Sequence, residues 1–132
     1  MNRIAAVITA IDSFDGINIV SFVADGQPMR MMALELNKRL QVGSKVILGV
    51  KASNIALAGG LKGVLSISNQ LKVKIERVDN GELLSSVKFR FAGSLIESII
   101  THDSSIRMNL RPGDEVVALI KSSELSILEV TV

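Results

Sequence analysis

Residues 40–53 read LQVGSKVILGVKAS, and residues 110–123 read LRPGDEVVALIKSS. Leu, Gly, Val, Lys and Ser coincide, five of 14 positions, and most of the others are similar. A second pair lies upstream, NRIAAVITAID at 2–12 and NQLKVKIERVD at 69–79, sharing Asn, Ile and Asp. Self-similarity at a fixed spacing marks a repeated structural unit. The offset is 67 residues at the front and 70 at the back, so the second copy carries three extra residues in its middle. The chain reads as two tandem units of about 65 residues each. They meet near AGGLKG at 58–63, where three Gly mark a turn or linker. The expected division is 1–63 and 64–132.

Each unit reads as β-rich. LKVKIERV at 71–78 and SSVKFRFAG at 85–93 alternate apolar with polar residues, as half-buried strands do. ESIIT at 97–101, EVVALIK at 115–121 and LSILEVTV at 125–132 follow. Asn-Gly at 80–81 and Pro-Gly at 112–113 punctuate the runs. One short helix is expected in each unit, over ALELNKRL at 33–40 and SSIRMNL at 104–110. The expected fold class is all-β, two tandem OB-like five-stranded Greek-key barrels, each with a short helix. A barrel of this size is marginal alone, which favours fusion and association of copies.

Composition narrows the function. Hydrophobic residues make up 48% of the 132. Counting Gly brings the apolar share to about 55%, above the usual range for soluble domains and more than one small core hides. No run approaches the ~20 apolar residues of a membrane span. Net charge is +2, which permits an anionic ligand without demanding nucleic acid. There is no Cys, so disulfides and thiolate metal sites are excluded. The single His, His102, rules out a multi-histidine site. No phosphate-binding loop of the GxxxxGK[ST] type is present, and no Ser sits in a nucleophile motif. The chain is therefore read as a non-enzyme. IAAVITAI at 4–11 looks superficially like a signal segment, but no cleavage site follows it and the run has a counterpart inside the chain. A cytoplasmic location is expected.

Three short stretches carry polar donors suited to an anion. Thr101-His102-Asp103-Ser104 lies where a strand gives way to a helix, with Ser104 expected as the N-cap. Backbone N–H groups and two hydroxyls converge at such a turn. SISNQ at 66–70 supplies Ser66, Ser68 and Asn69 just before the second unit's first strand. Lys121-Ser122-Ser123 adds a cation and two hydroxyls.

Their order, S-x-x-N-Q, then I-T-x-x-S, then K-[AS]-S, resembles the molybdate-binding Mop family, also called molbindins or TOBE domains, in its di-Mop arrangement of two copies. The resemblance implies binding of molybdate or tungstate without transformation and without a prosthetic group or a metal cation held by side chains. It also implies OB-like barrels in a symmetric homo-oligomer, a trimer or dimer of di-Mop chains, with oxyanion sites between units. By that analogy Ser66, Ile67, Ser68 and Asn69 offer donors from one unit, and Thr101, Ser104, Lys121, Ser122 and Ser123 offer the rest. The family usually has S-A-R-N-Q, so Ser68 stands in place of a cationic donor. In the first copy MMALEL at 31–36 replaces I-T-x-x-S, with Ala33 and Leu36 expected at the hydroxyl positions and Glu35 opposing an oxyanion. Lys51, Ala52 and Ser53 survive, and Asn2 stands at the motif's Asn. Unequal sites are the expectation, with Lys51 and Ser53 completing a site across an interface.

Two other functions compete. An OB-type nucleic-acid binder stacks bases on aromatic side chains, and this chain has four Phe with neither Tyr nor Trp. A regulatory module acting through a protein partner is the other.

Overall fold

The computed structural model describes residues 1–131. The first repeat forms β1 (Asn2–Phe14), β2 (Ile17–Ala24), β3 (Gln27–Ala33), β4 (Lys45–Val50) and the short β5 (Ala56–Ala58). The second forms β6 (Asn69–Asn80), β7 (Leu84–Phe91), β8 (Ser94–Thr101), helix α1 (His102–Met108), β9 (Glu115–Ile120) and β10 (Ser126–Thr131). Single 3-10 turns at Ala52–Asn54 and Ser122–Glu124 join β4 to β5 and β9 to β10. The all-β class and the five strands per repeat follow the alternation read in the sequence; Val132, the last residue of the final expected strand, lies outside the described residues.

The strands make two five-stranded antiparallel sheets, β10-β4-β1-β2-β3 and β5-β9-β6-β7-β8. Each repeat therefore lends its last strand to the other: β10 pairs with β4, and β5 pairs with β9.

The long first strand of each repeat serves two neighbours. Residues 2–7 of β1 pair with β4, and the rest pairs with β2 after an irregularity at Ile8–Ala10. β6 changes partner the same way, with its irregularity at Ile75–Arg77. A bulge at such a point bends the strand and curls the sheet toward a barrel. The repeated Gly explains itself here. Gly43 and Gly113 hold φ of 92° and 95°. Their N–H groups donate to the carbonyls of Ile8 and Ile75 at 2.8 and 2.7 Å. Only Gly takes that backbone conformation without strain.

One hydrophobic core runs through both repeats, with Ile4, Ile8, Phe22 and Leu48 from the first and Leu71, Ile75, Phe89 and Ile96 from the second. Burying each such side chain contributes about 1.5–3 kcal/mol. Side-chain amides complete the join where backbones do not pair. Asn2 Nδ2 donates to the Glu97 carbonyl at 2.8 Å, and Glu97 N–H donates to Asn2 Oδ1 at 2.9 Å. Asn69 grips Arg30 the same way, accepting from its N–H at 2.7 Å and donating to its carbonyl at 2.9 Å. Gln27 does so with Lys72, at 2.9 and 3.0 Å. A planar amide presenting one donor and one acceptor to a peptide group imitates a neighbouring strand.

Two helix expectations need correction. α1 spans His102–Met108, two residues earlier than read, and its N-cap is Thr101, not Ser104. The Ser104 N–H donates to Thr101 Oγ1 at 3.1 Å. Residues 33–40 form no helix at all, only bends and turns after β3 ends. Arg30 and Glu97, 67 residues apart, occupy equivalent places in the two clamps, so the offset still holds there. Thr101 therefore corresponds to Leu34, and Ser104 to Asn37; the hydroxyl positions of the first copy are not Ala33 and Leu36. Leu34 offers no acceptor for a capping bond, a deficit of about 0.5–2 kcal/mol. The three extra residues of the second copy, close to one helical turn, fall in and just after α1. Asn37 instead closes a tight turn, accepting from Arg39 N–H on its side chain at 2.9 Å and from Leu40 N–H on its carbonyl at 3.0 Å.

Candidate functional site

The site is built where each first strand starts and each fourth strand ends. Asn69 of β6 lies opposite Ile120 of β9, and its Nδ2 also donates to the Ile120 carbonyl at 3.0 Å. This pairing sets Ser66-Ile67-Ser68, which lead into β6, beside Lys121-Ser122-Ser123, which follow β9. Gln70 Nε2 donates to the Ile67 carbonyl at 2.9 Å and fixes the approach to the strand. Ser66, Ser68, Lys121 and Ser123 are exposed; Ile67 and Ser122 are half-buried. Asn69 is 0% exposed. Its oxygen and both amide protons are committed to Arg30 and Ile120, so its side chain joins the two repeats and has no proton left for an anion.

The first repeat makes the same corner. Asn2 lies opposite Val50, which places Lys51, Ala52 and Ser53 at the start of β1. Lys51 and Lys121 share one backbone conformation, φ −69° and ψ 143° against −64° and 143°, each leading into a 3-10 turn. The repeated K-[AS]-S is thus a repeated corner, with an exposed Lys ahead of a turn.

Thr101 and Ser104 form a separate group at the head of α1. The Thr101 hydroxyl donates to Ser104 Oγ at 2.9 Å, and Arg107 donates to the same oxygen at 3.2 Å. Within one chain, no hydrogen bond joins this group to Lys121, Ser122 or the 66–69 segment among the described residues. β8, which carries Thr101, packs against the turn at Ala52–Asn54, and β3 packs against the turn at Ser122–Glu124. Each corner thus faces the third strand of the other repeat. Clefts lie elsewhere, one beside Lys72 and Lys74 and another between β3 and β10. None of the clefts characterised among the described residues is lined by the residues just placed.

The sequence reading missed the clamps made by Asn2, Gln27 and Asn69. Their signal was available in part, since Asn is repeated at 2 and 69, but a repeated Asn does not reveal that it grips the opposite repeat.

The TOBE domain family matches residues 65–127. The chain is 37% identical over 65 residues to molybdenum-pterin-binding protein 1 of Clostridium pasteurianum, covering 48% of this chain and 96% of that protein. The chain belongs to the Mop/TOBE family. It is also 41% identical over 90 residues to the molybdenum-pterin-binding protein MopB of Rhodobacter capsulatus, covering 66% of this chain and 33% of MopB. It spans about a third of the length of the larger relatives it matches. The fold is shared with a crystal structure of the cytoplasmic molybdate-binding protein ModG with molybdate bound, at a TM-score of 0.86 and 23% identity, covering 96% of this chain and 94% of that one.

Proposed function

We propose that this chain binds molybdate or tungstate as an intact oxyanion, without transforming it, at sites between Mop units that neighbouring copies complete. Two units, 1–63 and 64–132, each keep one corner of such a site and exchange their last strands. The observation that carries this reading is the duplicated pairing of Asn69 with Ile120 and of Asn2 with Val50, from which Lys121–Ser123 and Lys51–Ser53 continue. Family membership and the molybdenum named in its relatives support the ligand class.

A tetrahedral dianion offers four oxygens to O–H and N–H donors. Short hydroxyl side chains set a cavity size, and one Lys strengthens the charge-assisted bonds. Each such bond contributes about 1.5–3 kcal/mol, so several are needed for micromolar binding at about −8 kcal/mol. The corners are open in a single chain, so a second copy is needed to enclose the anion. The apolar side chains left exposed near the strand ends, among them Phe14, Ile17, Leu34, Leu83 and Leu84, suit burial against that copy. A homo-oligomer, a trimer or dimer of such chains, in a cytoplasmic storage, buffering or sensing role, follows from this reading. Base stacking is poorly served: Phe22, Phe89 and Phe91 are core residues, which leaves only Phe14 at the surface, 86% exposed.

Calorimetric titration with molybdate, tungstate and sulfate in parallel tests the proposal. Saturable binding of the first two with little response to sulfate is expected. Absence of heat and of thermal stabilisation with all three refutes it.

A further inference from the structure

Resting on the proposed oxyanion binding, we infer that Arg30, from the first repeat, supplies the cation that Ser68 lacks, and that the corner at Asn69 and Lys121 is the stronger anion site of the two.

The two corners are alike in backbone and differ in charge. At the first, Asn69 holds the Arg30 peptide by its N–H at 2.7 Å and its carbonyl at 2.9 Å, and reaches Ile120 at 3.0 Å. Arg30 thus sits against the residue that follows Ser68 and, through the same amide, against the residue that precedes Lys121. β3 continues along the turn at Ser122–Glu124. Arg30 is exposed, and among the described residues its guanidinium makes no ion pair and no hydrogen bond. Lys121 makes no ion pair among the described residues either.

At the second corner the equivalent of Arg30 is Glu97, held by Asn2 at 2.8 and 2.9 Å. Its carboxylate accepts the Ser86 hydroxyl at 2.6 Å and has no cationic partner among the described residues. Glu124, on the turn that follows Lys121, accepts from Asn54 Nδ2 at 2.8 Å, on the turn that follows Lys51, so this acid is held between the two corners. A dianion at the Lys121 corner meets Lys121 and Arg30. At the Lys51 corner it meets Lys51 and Glu97. A guanidinium is suited to an oxyanion because it offers forked donors and stays charged at any working pH. Recruiting it from β3 restores the positive charge usually carried by the Arg of the S-A-R-N-Q motif, from a position 38 residues away in the chain.

Arg30→Ala keeps the backbone N–H and carbonyl that Asn69 grips, so the fold is expected to survive, and an unchanged melting profile without ligand checks this. Molybdate titrations of the parent, Arg30→Ala, Arg30→Lys and Lys121→Ala, at low and at physiological salt, test the inference. Arg30→Ala is expected to weaken the tightest class of sites about tenfold or more. Arg30→Lys should recover part of that loss, and the salt dependence should be shallower in Arg30→Ala than in the parent. Glu97→Gln should strengthen the weaker class and leave the stronger one unchanged. If Arg30→Ala binds like the parent while Lys121→Ala is weakened, Arg30 lies outside the site and the inference fails while the oxyanion reading stands. If the parent itself takes up no molybdate, both fall together.

Discussion

The Asn69 corner and the Asn2 corner share a backbone and differ in what surrounds it. Asn69 is 0% exposed and makes three hydrogen bonds; Asn2 is 9% exposed and makes two. Arg30 stands at one and Glu97 at the other. The K-S-S corner lies beside Ser66 and Ser68, and the K-A-S corner beside Asn2. The difference teaches that duplication preserved the scaffold of both corners while the charge beside them diverged. The strand exchange shows the same pattern in packing. Leu128 of β10 lies over Gly49, with side-chain atoms 2.7 Å from where a Cβ would stand. At the equivalent places the second sheet has Leu119 and Ala58. Large and small have changed sides at these positions.

The two clamps should differ most in the stability they contribute. Asn69→Ala removes three hydrogen bonds, one of them buried at the Ile120 carbonyl and two part-buried at the Arg30 peptide, at about 1–3 kcal/mol for the buried group left unsatisfied. Asn2→Ala removes fewer bonds from a less buried place. Urea unfolding should show the first variant losing clearly more stability than the second. Equal losses would mean that the two clamps carry equal weight.

Gly49→Ala comes next. The added methyl meets the branched end of Leu128, and overpacking of this kind costs about 1–3 kcal/mol. The double variant Gly49→Ala with Leu128→Ala should recover part of the loss, because it removes the branched side chain that the added methyl meets. No recovery in thermal unfolding would show that the strain lies elsewhere.

Thr101→Val removes the cap of α1 and should cost about 1 kcal/mol. Leu34→Val, at the uncapped counterpart, should change stability by less than about 0.5 kcal/mol. Circular dichroism melts of the two variants separate these outcomes.

Much of this architecture was legible in the sequence. The alternation in LKVKIERV and SSVKFRFAG places β6 and β7 because a strand buries every second residue. The repeated Gly at 43 and 113 marks the turn that meets each bulge. The exchange of β5 and β10 was not legible, since local pattern says that a segment is a strand and not which strand it joins. The missing first helix escaped because ALELNKRL has good helix formers, while the first copy is three residues shorter there and has no capping oxygen at Leu34. Of the candidate site, the Lys and Ser positions were readable as a repeated motif. The commitment of Asn69 to Arg30, and so the place of Arg30 itself, was not, because it arises from contact between repeats.

The unequal corners are most directly tested by anomalous scattering from crystals of the protein loaded with tungstate. The strongest tungsten peak is predicted within hydrogen-bonding reach of Lys121 and Arg30. A peak beside Lys51 and Glu97, with none at Lys121, would contradict the account.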